Sequence, residues 1–246
     1  VSIYERSQTN PTEWTRTRKI LEGRYSGTLY GKQIALSGDY LFVSVPENSI
    51  EQLVIYKRIG NMWEEAADAL PWTQDADPLG EAMVAGAGWL AISHRKPQEP
   101  SSFDIYVYDE ATDKWEVGPT PSPQLAMPLS ESFGTDLAAR GPHLAAYDAG
   151  TGRALVFTLM AGASGWQSTE IILDTDGGTL TPVDIAINED TVAIAMVRDN
   201  TAGEVHLYDH IGYSAGDAPS ITSSNPLFVG EGSIALSDNA LFVAAR

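Results

Sequence analysis

Residues Gly31 to Trp63, GKQIALSGDYLFVSVPENSIEQLVIYKRIGNMW, decide how this chain is read, because recognisable versions of the stretch return along its length. Aligned on the apolar triplet before a tight turn, the copies open at Gly31 (GKQIALSGDYLFVSV), Gly80 (GEAMVAGAGWLAIS), Gly134 (GTDLAARGPHLAAY), Pro182 (PVDIAINEDTVAIAM) and Glu231 (EGSIALSDNALFVAA). Their intervals of 49, 54, 48 and 49 residues are those of propeller blades or solenoid repeats. A second landmark follows, an apolar run and then a Trp across a short loop: LVIYKRIGNMW to Trp63, IYVYDEATDKW to Trp115 and ALVFTLMAGASGW to Trp166. In the fourth copy, VHLYDHIGY, Tyr213 replaces the Trp.

The fifth copy sets the expected topology. It stops at Arg246 after two strands, and its missing half stands at the other end, where VSIYERSQTNPTEW from Val1 to Trp14 is a second half with no first half before it. Counted through the termini, the closing interval is 46 residues. An open solenoid gains nothing from dividing one repeat between its ends, whereas a ring closed this way loses its exposed sheet edges. The expectation is therefore all-β: a five-bladed β-propeller of four-stranded blades, closed by N-terminal strands pairing with C-terminal strands in one blade. A single domain covers 1–246, with blades at about 31–70, 80–120, 134–173, 182–222, and 231–246 plus 1–21. The segment EEAADAL at 64–70 has helical spacing, but its place in the repeat assigns it to an outer strand.

Local chemistry agrees with this architecture. Gly38-Asp39 and Ala87-Gly88 are two-residue hairpin turns with glycine where positive φ is wanted. Strands such as YLFVSV, WLAIS and TVAIAMV are apolar at successive positions, as strands buried on both faces should be. The trailing Trp residues read as lids over blade edges.

Composition excludes several functions. A net charge of -18 repels phosphate backbones and anionic membranes. No stretch is long and apolar enough for a membrane helix. Without cysteine there are no disulfides, thiol nucleophiles or thiolate metal sites. The chain begins without Met and inside a repeat, which implies an upstream leader or neighbouring segment.

The repeats resemble the FG-GAP propeller repeats of integrin α-subunit heads and of many secreted proteins. The resemblance rests on Phe133-Gly134, with Tyr30-Gly31 and Leu79-Gly80 as variants, on IALSGDYLFVSVP from Ile34 to Pro46, and on the VIYKR and Trp63 block. It covers essentially the whole chain and implies a secreted or extracellular adhesion or interaction module. It also implies a calcium loop between the first two strands of a blade. The turns SGDY, GAGW, RGPH, NEDT and SDNA are too short to wrap an ion that takes six to eight oxygens. No cofactor is therefore expected; Asp174, Asp176 and Asp184 are a weak calcium candidate, and Asp75 and Asp77 a weaker one.

Connections from second to third strands, and from each blade to the next, vary on one face, where binding tends to reside. Contact candidates there are Tyr25, Tyr30, Trp72, Arg95, Lys96, Arg153 and Arg198, since aromatic and Arg side chains dominate interface hot spots. The expected function is non-enzymatic binding of a protein partner, or assembly into a larger structure, with a carbohydrate-binding lectin as the alternative. A third reading is a glycoside hydrolase. Asp136 and Asp184 stand just before the inner-strand triplets of adjacent blades, about 10 Å apart if blades pack like stacked sheets. Inverting glycosidases separate their acids by roughly 6.5 to 9.5 Å.

Overall fold

The computed structural model describes residues 2–7, 9–10, 12–19, 31–47, 50–66, 82–94, 102–121, 129–160, 165–173, 180–198, 202–210, 220–223 and 234–244. Among them every regular element is a strand. An N-terminal hairpin, β1 (Ser2–Arg6) and β2 (Trp14–Lys19), precedes four antiparallel four-stranded sheets. Sheet one is β3 (Ile34–Ser37), β4 (Tyr40–Glu47), β5 (Ile50–Ile59) and β6 (Met62–Glu65). Sheet two is β7 (Met83–Gly86), β8 (Trp89–His94), β9 (Ser102–Asp109) and β10 (Lys114–Val117). Sheet three is β11 (Phe133–Arg140), β12 (His143–Asp148), β13 (Arg153–Leu159) and β14 (Trp166–Ile172). Sheet four is β15 (Leu180–Ile187), β16 (Thr191–Arg198), β17 (Ala202–Asp209) and β18 (Ser220–Ser223). A C-terminal hairpin, β19 (Ile234–Leu236) and β20 (Leu241–Val243), completes the order. Each four-stranded sheet is a meander whose neighbours in sequence are neighbours in space. The first strands β3, β7, β11, β15 and β19 lie side by side in that order. The architecture is β-propeller-like.

The hairpin turns follow from their residues. Gly38, Gly88 and Gly141 all adopt positive φ, the region a two-residue hairpin demands and side chains disfavour. In sheet four Asn188 closes the turn instead, its Oδ1 accepting from the N–H groups of Asp190 at 3.1 Å and Thr191 at 2.7 Å. Pro182 is tolerated in β15 because that strand is the sheet's inner edge.

Second strands are buried on both faces, as their unbroken apolar runs require: Trp89 to Ile92 and Val192 to Met196 are almost fully inaccessible. One face of sheet three, through Ala138, Tyr147 and Val156, packs on Ile185, Ile194 and Met196 of sheet four. Its other face packs Leu137, Leu144 and Phe157 on Trp89, Phe103 and Ile105 of sheet two. The trailing Trp residues do more than lid an edge. Trp115 meets Phe42 of sheet one edge-on at 5.0 Å, and Trp166 meets Trp89 of sheet two at 5.3 Å. Trp166 Nε1 also donates to the Pro119 carbonyl at 2.7 Å. Each Trp is thus a peg in the joint with the preceding sheet.

The terminal hairpins behave as half-sheets. β19–β20 packs Ile234, Leu236 and Val243 on sheet four. β1–β2 lays Ile3 on Leu41, Val43 and Trp63 of sheet one, and Glu5 pairs with Arg58 at 3.1 Å. The expected pairing of β20 with β1 is not formed among the described residues, where the hairpins are two separate two-stranded sheets. Apolar side chains on the hairpins, and Ile34 on the inner edge of sheet one, are correspondingly bare. Phe242 is 61% exposed where its counterpart Phe42 is 0%, Trp14 is 59% exposed where Trp63 is 6%, and Ile34 is 55% exposed where Met83 is 6%.

Candidate functional site

The residue before each inner-strand triplet occupies an equivalent place near the convergence of the sheets. In sheets one and two its N–H is held by a buried serine: Ser44 Oγ accepts from Gln33 N at 2.9 Å and Ser93 Oγ from Ala82 N at 3.0 Å. In sheets three and four the position is Asp136 and Asp184. Both side chains fold onto the following backbone, Asp136 Oδ1 accepting from Leu137 N at 2.9 Å and Asp184 Oδ1 from Ile185 N at 3.0 Å. Asp184 Oδ2 reaches across to Ile234 N of β19 at 2.7 Å, joining sheet four to the C-terminal hairpin.

Asp136 and Asp184 lie within hydrogen-bonding reach of each other. Burial, then the Asp184 charge, then that direct contact push the Asp136 carboxyl up to about 7, against the opposing N–H groups of Leu137 and Ile185. Asp136 Oδ2 is buried and meets no donor. A proton on that carboxyl turns it into a donor, and two neighbouring buried carboxyls cannot both ionise without strong repulsion. The expected 10 Å separation is thereby corrected: first strands converge toward the centre, closer than the stacking distance of whole sheets.

Other polar groups are buried inside the sheets or at their joints. Arg153, expected as an exposed contact, is buried. It is the first residue of β13, its Nη1 is 2.9 Å from Glu170 Oε1, and its Nη2 is 3.9 Å from Asp148, which is fully buried. Asp148 also accepts from Ser130 N at 2.9 Å and from the Ser130 hydroxyl. Glu204 and His206, both buried, pair at 2.8 Å. His143 and His210 meet at 4.7 Å across the joint of sheets three and four. Burial lowers both imidazoles below their ordinary range, and for His143 the charge of His210 adds to the effect.

The remaining contact candidates were Tyr25, Tyr30, Trp72, Arg95, Lys96 and Arg198. The first five lie outside the described residues, as do Asp75, Asp77, Asp174 and Asp176. Arg198 ends β16 opposite Ala202 of β17, with its side chain undescribed. Among the described residues no group of three or more His, Asp or Glu is arranged to hold a metal ion.

Two concavities open at the tight-turn side. One, of about 550 Å³, runs between sheets two and three, lined by Val107, Tyr108, Val117, Pro119, Leu159 and Met160 among others. The second, of about 540 Å³, lies between sheets one and two and includes Asp39, Tyr40, Lys57, Tyr108, Glu110 and Trp115. Beside it Asp113, in a left-handed conformation (φ 57°), accepts from Lys57 Nζ and from the hydroxyls of Tyr108 and Tyr40. The Lys57 contact first, then the two phenols, hold the Asp113 carboxyl down at about 2. The signal for this cluster was Asp113 itself, an Asp in a tight turn, where αL is most readily adopted.

No family model and no curated protein matches the sequence. Among solved structures, apo AztD from Citrobacter koseri is 12% identical with a TM-score of 0.42, over 78% of this chain and 50% of that one. AofleA from Arthrobotrys oligospora is 13% identical with a TM-score of 0.50, over 91% of this chain and 65% of that one. The chain thus spans about half to two thirds of the structures it matches, and the likeness to AofleA is one of fold alone.

Proposed function

We propose that the chain is a non-enzymatic interaction module, a five-bladed propeller of FG-GAP type that engages a protein partner through its variable-connection face in an extracellular setting. The observation that carries this reading is the Asp136–Asp184 contact. Beside each other, the acids best placed for chemistry at the convergence of the sheets are tied to backbone N–H groups of their own strands and of β19, a structural use of both carboxyls. Asp148, Arg153, Glu204 and His206 are likewise buried within sheets.

Ring closure is the finer part of the proposal, and the bare rims support it. β1–β2 already sits on sheet one as the outer half of a neighbouring blade would, and β19–β20 sits on sheet four as an inner half would. Joining them covers Phe242, Ile34 and Trp14, each worth about 1.5 to 3 kcal/mol on full burial.

The test is an activity and binding comparison. Aryl glycosides and polysaccharides should show the same background hydrolysis with the parent chain and with Asp136→Asn. Hydrolysis in the parent that the substitution abolishes overturns the reading in favour of a glycosidase. Saturable signal on a glycan array, lost in Trp72→Ala, moves the ligand from protein to carbohydrate.

A further inference from the structure

The two concavities described above lie on the face opposite the variable connections. The groove between sheets two and three is the less polar of the pair: Val117 is 73% exposed and Met160 44% exposed, beside Leu159, Pro119 and Pro142. Among the described residues its charged lining is Asp109 and Glu116. Its floor is fixed by the Trp166–Pro119 hydrogen bond and by Gly118 N donating to Ile105 O at 2.7 Å. A Cβ at Gly118 would meet Val107 Cγ2 at 2.7 Å, so a glycine is needed for this close approach.

The adjoining pocket has the complementary chemistry. Tyr108, half-buried above the nearly inaccessible Tyr40 and Trp115, supplies aromatic surface, and Asp39 and Glu110 add carboxylates at exposed positions. Its wall already accommodates one ammonium: Lys57 Nζ sits 5.3 Å from the Tyr40 ring centroid and is ion-paired with Asp113. Aromatic faces and carboxylates together attract a cation. With Asp113 paired to Lys57, Asp39 and Glu110 leave the pocket negative, on a chain whose net charge is -18. Tyr108 lines both spaces and forms the ridge between them.

We propose that this face binds an extended segment of a partner protein, seating an apolar side chain in the groove between sheets two and three and a Lys or Arg side chain in the aromatic pocket between sheets one and two. Sheets pack about 10 Å apart, and a segment in the polyproline II conformation advances about 3.1 Å per residue with three residues per turn, which puts side chains on one side of it about 9 Å apart. The two side chains therefore stand three residues apart. The inference rests on the reading of the chain as a protein-binding module but uses the opposite face, so the two can fail separately.

Fluorescence polarisation tests it with a fluorescein-labelled peptide containing Leu-Gly-Gly-Arg, and with matched peptides containing Ser-Gly-Gly-Arg and Leu-Gly-Gly-Glu. The first peptide should bind saturably, and each control about tenfold more weakly or worse. The double variants Val117→Lys/Met160→Lys and Asp39→Lys/Glu110→Lys should each weaken binding by about tenfold without lowering the melting temperature, because these side chains are solvent-exposed. Trp72→Ala should leave binding unchanged. Absence of saturation, or equal binding by all three peptides or by the variants, overturns the inference. Loss of binding in Trp72→Ala alone overturns it too, while leaving the interaction role standing on the other face.

Discussion

At pH 8, Asp136→Asn should be more stable to urea than the parent protein by on the order of 4 kcal/mol, and at pH 4 the two should be nearly equal. Folding raises the Asp136 carboxyl from 3.8 to about 7 through burial, the Asp184 charge and the direct contact between the two carboxyls. The folded state therefore holds a proton that the unfolded chain releases near pH 4. Stability from this group is fully present below pH 4 and is lost as pH rises through 7, since the unfolded state binds fewer protons across that window. One pKa unit corresponds to about 1.4 kcal/mol, which sets the scale of the gain. Asparagine does not ionise, and its amide N–H can donate to Asp184 as the protonated acid does. The comparison is a pair of urea titrations across pH 4 to 8. A variant less stable than the parent at pH 8 would mean that an ionised Asp136 is needed, and the shared-proton account would be wrong.

Arg153→Ala should destabilise by about 3 to 5 kcal/mol, because it leaves Asp148 without its cation in a fully buried site. In a chain of this size that lowers the melting temperature by on the order of 10 °C. Arg153→Lys should recover only part of the loss, since an ammonium cannot reproduce the guanidinium contacts to Thr151 and Glu170. An exposed binding-loop arginine would behave otherwise, with a change within about 0.5 kcal/mol. Differential scanning fluorimetry of the two variants separates the cases.

The contrast between these acids and this arginine shows what was legible in the sequence. Repeat register placed Asp136 and Asp184 at equivalent positions on neighbouring sheets, because spacing along a repeat is a local property. It could not supply their separation, which depends on how far first strands converge. Arg153 followed Asp148 and a glycine-containing turn, and read as loop; Gly152 at φ 64° closes that turn tightly enough to make Arg153 the opening residue of β13. Its partner Glu170 comes from β14, so no nearby residue announced the ion pair. The tight turns were readable from their glycines, and the doubly buried second strands from their unbroken apolar runs. The inward pegging of Trp115 and Trp166 was not, since it depends on the preceding sheet.

Closure of the ring carries the rest, and a register-specific disulfide tests it directly. Tyr40 pairs with Lys57 in sheet one, and the repeat aligns these residues with Ala240 and Glu5. The chain has no cysteine, so Glu5→Cys with Ala240→Cys introduces the sole thiol pair. Under mild oxidation the account predicts near-complete intramolecular cross-linking, as for strand neighbours with Cα atoms about 5.5 Å apart, and little cross-linking when the second cysteine is placed at Phe242 instead. Thiols that stay free in the Glu5–Ala240 variant, or that link only between molecules, would contradict a fifth blade shared by the two ends.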